Sequence, residues 1–236
     1  MKTSIYNIGD NAFCLVDMLS ARNIALNEKL KNSENINISC LKDENLNAKF
    51  YKCEIASISY VLALLCKILD NDKFVNLDEG YLSAESCFGE EEANEVLEFL
   101  KNAKCIIFDE NLKFHKDFEN IKFFISFLSD HFNLYIVNSN EEELSLDIKN
   151  FSELLELDNY DGLVIFNYPF CDDLLHCSKQ FLQIAKSKNE SKVIVFNKTF
   201  NQKTKIYLDD NLKSTIAFLK FNEENFNFLR VSIKEA

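Results

Sequence analysis

Residues 104–138 read KCIIFDENLKFHKDFENIKFFISFLSDHFNLYIVN, and the fold turns on how this stretch is divided. It opens on a short apolar run, KCIIFD at 104–109, with the β-branched pair Ile106 and Ile107. A run this short, bounded by charged residues, predicts a buried strand. Residues 117–131 then place Phe118, Ile121, Phe124, Ile125 and Leu128 on one face of a helix. NLYIVN at 133–138 repeats the apolar run and predicts a second strand.

The alternation continues in both directions. Downstream, residues 150–157 predict a short helix and GLVIFN at 162–167 a strand. Residues 172–186 predict a helix with Leu174, Leu175, Cys177, Ser178, Phe181, Leu182 and Ala185 inward, and KVIVFN at 192–197 a strand. Upstream, Ile55, Ile58, Val61, Leu62, Leu65, Cys66 and Leu69 predict a buried helix over 54–70, followed by a loop. Glu90, Glu91 and Glu92 then open a helix over 90–102, where carboxylates meet the positive end of the helix dipole. Continuous apolar strands alternating with amphipathic helices predict an α/β fold: a three-layer, doubly wound, mostly parallel sheet over residues 54–200. The segment 1–53 is less regular, with a strand at 12–17, a helix at 19–30 and a polar, Asn-rich loop with one short strand at 31–52. Residues 201–236 alternate as late, antiparallel strands at 206–208, 215–221 and 226–233. With Gly 4 and Pro 1 there is no linker composition, and a single domain over 1–236 is expected.

Charge excludes one class of partner. Lys+Arg is 26 against Asp+Glu 38, a net charge of −12, and only Arg22 and Arg230 are guanidinium groups. Such a chain lacks the basic surface that neutralises phosphates, so nucleic acid is not an expected partner. Residues 1–10 carry Gly9 and Asp10 where a secretory signal is apolar, and no apolar run approaches the roughly 20 residues of a membrane span. A soluble, cytoplasmic protein with no direct membrane insertion is the expectation. The 8 cysteines include no C-x-x-C pair and read as reduced, mostly buried side chains.

Doubly wound sheets bind phosphate-bearing cofactors through glycine turns at the strand tips, because the backbone must approach the phosphate closely. Here the tips continue as DENLKF after Phe108, NSNEEE after Val137, NYPFCDD after Phe166 and NKTFNQK after Phe196, without a glycine. Neither G-x-G-x-x-G nor G-x-x-x-x-G-K-[ST] occurs, and no G-x-S-x-G elbow is present. No cofactor is expected. The one constellation with metal or thiol chemistry is Cys171, Asp172 and His176: on a helix starting near Asp172, Asp172 and His176 share a face at i, i+4. An Asp capping a helix and Cys177 packing inward explain the same residues structurally, and this is the favoured reading. His131, at a helix end, meets the negative pole of its own helix.

The run NLDEGYLSAESCFGEEE at 76–92, preceded by ISYVLALLCKIL at 58–69, resembles a segment of the large iron–sulfur subunit of bacterial respiratory complex I (NADH:quinone oxidoreductase) of the Campylobacter type. The likeness spans about residues 54–200 and is specific only in the GYLSAES run. In that subunit the region belongs to a domain related to molybdopterin oxidoreductases. This chain lacks the family's N-terminal cysteine motifs for clusters and has no match to the NADH- and flavin-binding loops. The resemblance therefore implies a companion subunit of the peripheral arm: structural, or docking a small electron-donor protein, bound to the inner membrane through its complex, and without catalytic residues of its own. The alternatives are an independent flavin- or metal-dependent oxidoreductase using the Cys171–His176 region, and a vestigial molybdopterin-type domain that binds a nucleotide.

Overall fold

The computed structural model describes residues 1–169, 172–221 and 225–236, which fall into two compact units, Met1–Leu157 and Asp158–Ala236. The boundary between them falls near residue 158, where no Gly- or Pro-rich run marks it.

In the first unit the chain runs through β1 (Ala12–Leu15), α1 (Leu19–Arg22), α2 (Ile24–Leu30), β2 (Asn35–Ser39), β3 (Lys49–Lys52), α3 (Ile58–Leu69), α4 (Glu79–Ser86), α5 (Glu90–Leu100), β4 (Cys105–Phe108), α6 (Phe118–Phe132) and β5 (Tyr135–Asn138). The sheet order is β3-β2-β1-β4-β5 and every neighbouring pair is parallel. The sheet is doubly wound, but three of its five strands, β1, β2 and β3, come from the segment 1–53 and not from the 54–200 stretch expected to build it. Ala12, Cys14, Val16, Cys105, Ile107 and Val137 pack with Leu19, Leu26 and Leu30 from α1 and α2 in one core cluster. Strand alternation turns Phe13, Leu15, Ile106 and Phe108 to the other face, where they are also buried.

The N-terminal segment is more regular than its composition suggests. β2 reads NINIS, and its asparagines are buried because they serve the neighbouring strand. Asn35 Oδ1 accepts from Ala12 N at 3.1 Å, and Asn37 Oδ1 from Val16 N at 3.4 Å. The polarity that reads as loop is spent inside the sheet.

The second unit contains β6 (Val164–Asn167), β7 (Leu175–Cys177), α7 (Lys179–Ala185), β8 (Lys192–Phe196), β9 (Asn201–Leu208), β10 (Ile216–Leu219), β11 (Phe228–Arg230) and β12 (Ser232–Glu235). Its sheet runs β11-β6-β10-β7-β9-β8-β12. Only β6–β10 and β7–β9 are parallel. One parallel sheet carrying all four apolar runs is therefore corrected: 105–108 and 135–138 belong to the first sheet, 164–167 and 192–196 to a separate mixed one. Continuous apolar strands signal two covered faces and do not say in which sheet.

Three further expectations are corrected. Residues 79–86, expected as loop, form α4, capped by Asp78 Oδ1 accepting from Tyr81 N at 2.7 Å and ended by Cys87 at φ 52°. Residues 150–157, expected as helix, are an extended strap. Phe151 packs edge-on or tilted against Phe74, Phe123 and Phe124, while Asn120 holds the strap's backbone at Ser152 N (3.0 Å) and Glu153 O (3.2 Å). The helix expected over 172–186 is β7 followed by α7. Ser178 divides them by accepting from Phe181 N at 3.1 Å, a cap in the middle of an apolar pattern that fits either period. Among the described residues no helix is long and apolar enough to cross a membrane.

Candidate functional site

In the order β3-β2-β1-β4-β5 the chain leaves β1 towards β2 on one side and reaches β4 on the other, so the strand order reverses between β1 and β4. The crevice beyond the carboxyl ends of these two strands is where a doubly wound sheet receives a ligand. The backbone delivers a carboxyl to each lip: Asp17, two residues past β1, and Asp109, directly after β4.

The protein's own donors occupy both carboxyls. Ser39 Oγ, at the tip of β2, donates to Asp17 Oδ1. Asp17 N donates to Asp109 Oδ2 at 3.4 Å, and Asn111 N to Asp109 Oδ1 at 2.8 Å. On the β2 side Ser20 is tied to Asp43 through its backbone N (2.8 Å) and hydroxyl (2.6 Å). Burial, with the Asp109 charge adding to it, pushes the Asp17 carboxyl up to about 7, against the pull of Ser39 and Arg22. Asp109 is likewise raised by burial, with the Arg22 charge opposing.

This lip is built against phosphate. The residue opening the first helix is Met18, left-handed at φ 52° and carrying a side chain where a cofactor turn has glycine. The helix it opens, α1, is four residues long and ends at Asn23, whose side chain caps α2 and donates to Ser139 O at 2.9 Å. A pyrophosphate placed here meets two carboxyls instead of free N–H groups. Burial, and next the Asp17 charge, raises the nearby thiol of Cys40 well above its ordinary value and that of Cys53 to about 12, which disfavours the thiolate.

Of the residues singled out by sequence, Asp172 and His176 are brought together, with His176 Nε2 2.9 Å and 3.1 Å from the two carboxyl oxygens. The pair is formed from strand β7 and the turn before it, not across a helical face. Burial raises the Asp172 carboxyl, but the bonds from His176 and the Leu174 backbone outweigh it and hold the group below its usual range. Cys171 lies outside the described residues. Cys177 packs inward as expected, its thiol pushed by burial to about 12. Among the described residues no group of three or more His, Cys, Asp or Glu is arranged to hold a metal ion. His115 is structural: Nε2 meets Ala56 O at 2.8 Å and Nδ1 accepts from Asp117 N at 3.0 Å. His131 lies in the last turn of α6, and Glu90, Glu91 and Glu92 in the first turn of α5.

Asp17 and Asp109 were not singled out by sequence. The available signal was a carboxylate just past each of two buried strands, AFCLVD and CIIFD, the positions that face a switch-point crevice. The GYLSAES run forms most of α4, where Leu82 and Ser86 are buried and Gly80, Tyr81, Ala84 and Glu85 face outward. No family model matches this chain, and no curated protein is significantly similar to it in sequence.

Proposed function

We propose that this chain is a non-catalytic peripheral-arm subunit of a complex I-like NADH- or flavodoxin:quinone oxidoreductase of the Campylobacter type, with a structural or donor-docking role. It would associate with the inner membrane through its complex. The observation that carries the non-catalytic part is the crevice between β1 and β4, where the carboxyls of Asp17 and Asp109 stand just past the strand ends and accept from the surrounding donors. The link to complex I rests on the GYLSAES resemblance. Its presentation on an exposed helix suits a segment selected for contact rather than for packing. The net charge of −12 suits docking to a basic face of another subunit.

The test is purification of the quinone reductase from its native membranes by a tag on this chain. The other peripheral-arm subunits should co-purify in fixed stoichiometry, and deletion of the chain should abolish assembly or electron entry. A tagged chain that runs alone, with quinone reduction intact in the deletion strain, overturns the proposal.

A second reading is favoured by the Asp172–His176 pair: an independent metal- or flavin-dependent oxidoreductase. It requires a visible chromophore or stoichiometric metal in the isolated chain. A colourless protein free of zinc and iron by elemental analysis removes it.

A further inference from the structure

A second concavity of the first unit is bounded by α3 and α4 on one side and by the extended strap on the other, with a volume of about 640 Å³. Leu77, Leu82 and Phe151 give it an apolar lining, and the rings of Tyr60 and Tyr81 stand 5.8 Å apart, tilted by 51°. Its carboxylates are Asp78, Glu153 and Glu156, and none of the described residues lining it is Lys, Arg or His. Tyr81 is 50% exposed and Leu155, on the strap, 48%.

Three observations define what this groove accepts. First, the side chains of Glu153 and Glu156 are exposed and make no hydrogen bond or ion pair among the described residues. Second, the stretch 74–100 that carries α4 and the strap at 150–157 hold no Lys or Arg, against eight Asp and Glu in the first and two in the second. Third, the strap is fixed from behind by Asn120 and by Phe151, so these carboxylates are carried on an anchored backbone. Aromatic faces beside uncompensated carboxylates attract cations, and aliphatic surface beside them accepts the stems of long basic side chains. The volume exceeds one side chain, and exposed Tyr81 and Leu155 extend the apolar surface beyond it, as expected for a polypeptide segment. A second copy of a chain with net charge −12 would bring acid against acid.

We propose that this groove docks a Lys- or Arg-bearing segment of a neighbouring subunit, whose cations lie over the exposed ring of Tyr81, itself backed by buried Tyr60, and pair with Asp78, Glu153 and Glu156. The inference rests on the reading of the chain as a subunit and names the face through which it joins. The test uses the full tagged chain in its native host, comparing wild type with Glu153→Lys/Glu156→Lys, two exposed sites whose substitution leaves packing untouched. A photo-crosslinking residue at position 81 identifies what sits there. The proposal expects co-purification of the complex to fall about tenfold in the variant, because two exposed charge pairs are turned into repulsions at once. It also expects wild-type retention to weaken with salt, and the crosslinked peptide to carry net positive charge. Equal retention of both chains, or a crosslink to an acidic or neutral peptide, overturns the groove and leaves the subunit reading standing. A wild-type chain that retains no partner overturns the subunit reading itself. Circular dichroism of both chains confirms that the variant is folded.

Discussion

At the scale of single residues the molecule places polar groups where an apolar core would otherwise be continuous, and two of them have measurable consequences. Asp17 holds its proton more tightly folded than unfolded, since burial raises it to about 7 from an ordinary value near 4. A carboxyl shifted in this direction contributes fully below about pH 4, and its contribution is lost as pH rises towards 7, because the unfolded chain ionises first. The Asp17→Asn variant keeps an acceptor for Ser39 and has no proton to lose. It should therefore match wild type at pH 4 and exceed it at pH 8 by at most about 4 kcal/mol, at 1.36 kcal/mol per pKa unit. Urea midpoints of both proteins at the two pH values check this, and equal differences at both would refute it. Asn35 is the second case. Its amide donates to Leu30 O, Ser33 O and Asn47 O and accepts from Ala12 N, all within 3.2 Å. Asn35→Ala strands several buried groups at 1–3 kcal/mol each and should cost roughly 3 kcal/mol or more in a denaturant titration. Neither role was legible from composition: an asparagine inside β2 and an aspartate past β1 look like loop residues until the neighbouring backbone is known.

At the scale of elements, legibility followed how many structures one pattern allows. The helices at 58–69, 90–100 and 118–132 and the strands at 105–108 and 135–138 were readable, because each has a length and an apolar period that fit one element type. The 172–186 stretch fits two, and only Ser178 as a cap decides between them. The strap at 150–157 was misread for another reason: its Phe151, Leu154 and Leu155 have helical spacing, but tertiary contacts fix the backbone as extended. Truncating Phe151 tests this directly. Phe151→Ala removes ring contacts with Phe74, Phe123 and Phe124 and should destabilise the first unit by about 2–3 kcal/mol, somewhat less than a fully buried Phe. It should also free the strap, so that limited proteolysis cuts between 147 and 157 before any other site. Unchanged cleavage order would show that the polar contacts from Asn120, Tyr60 and Lys122 hold the segment without the ring. For the candidate site, sequence found the Asp172–His176 pair by assuming a helix that does not form; the pair survives because the turn before β7 brings the two side chains together.

At the scale of the whole molecule, two units with different sheets share one chain, and the first has the strand order of a cofactor-binding domain with the chemistry of its crevice reversed. A doubly wound order is set by apolar pattern and chain reversal, whereas binding depends on a few residues at the strand tips, which is why fold was readable where function was not. The absence of glycine turns points away from nucleotides, and the carboxyls of Asp17 and Asp109 at the same strand ends are a second argument in that direction. The most direct test is a thermal-shift and calorimetric titration of the isolated full chain with NADH and with FMN. A ligand at 100 times its dissociation constant stabilises a folded protein by about 2.7 kcal/mol, a shift well within reach of the method. With two carboxyls and no glycine turn at the strand ends, neither ligand should shift the melting temperature or release heat at millimolar concentration. Saturable binding of either, abolished when Met18 or Asp109 is replaced, would place a cofactor in the crevice and contradict the account.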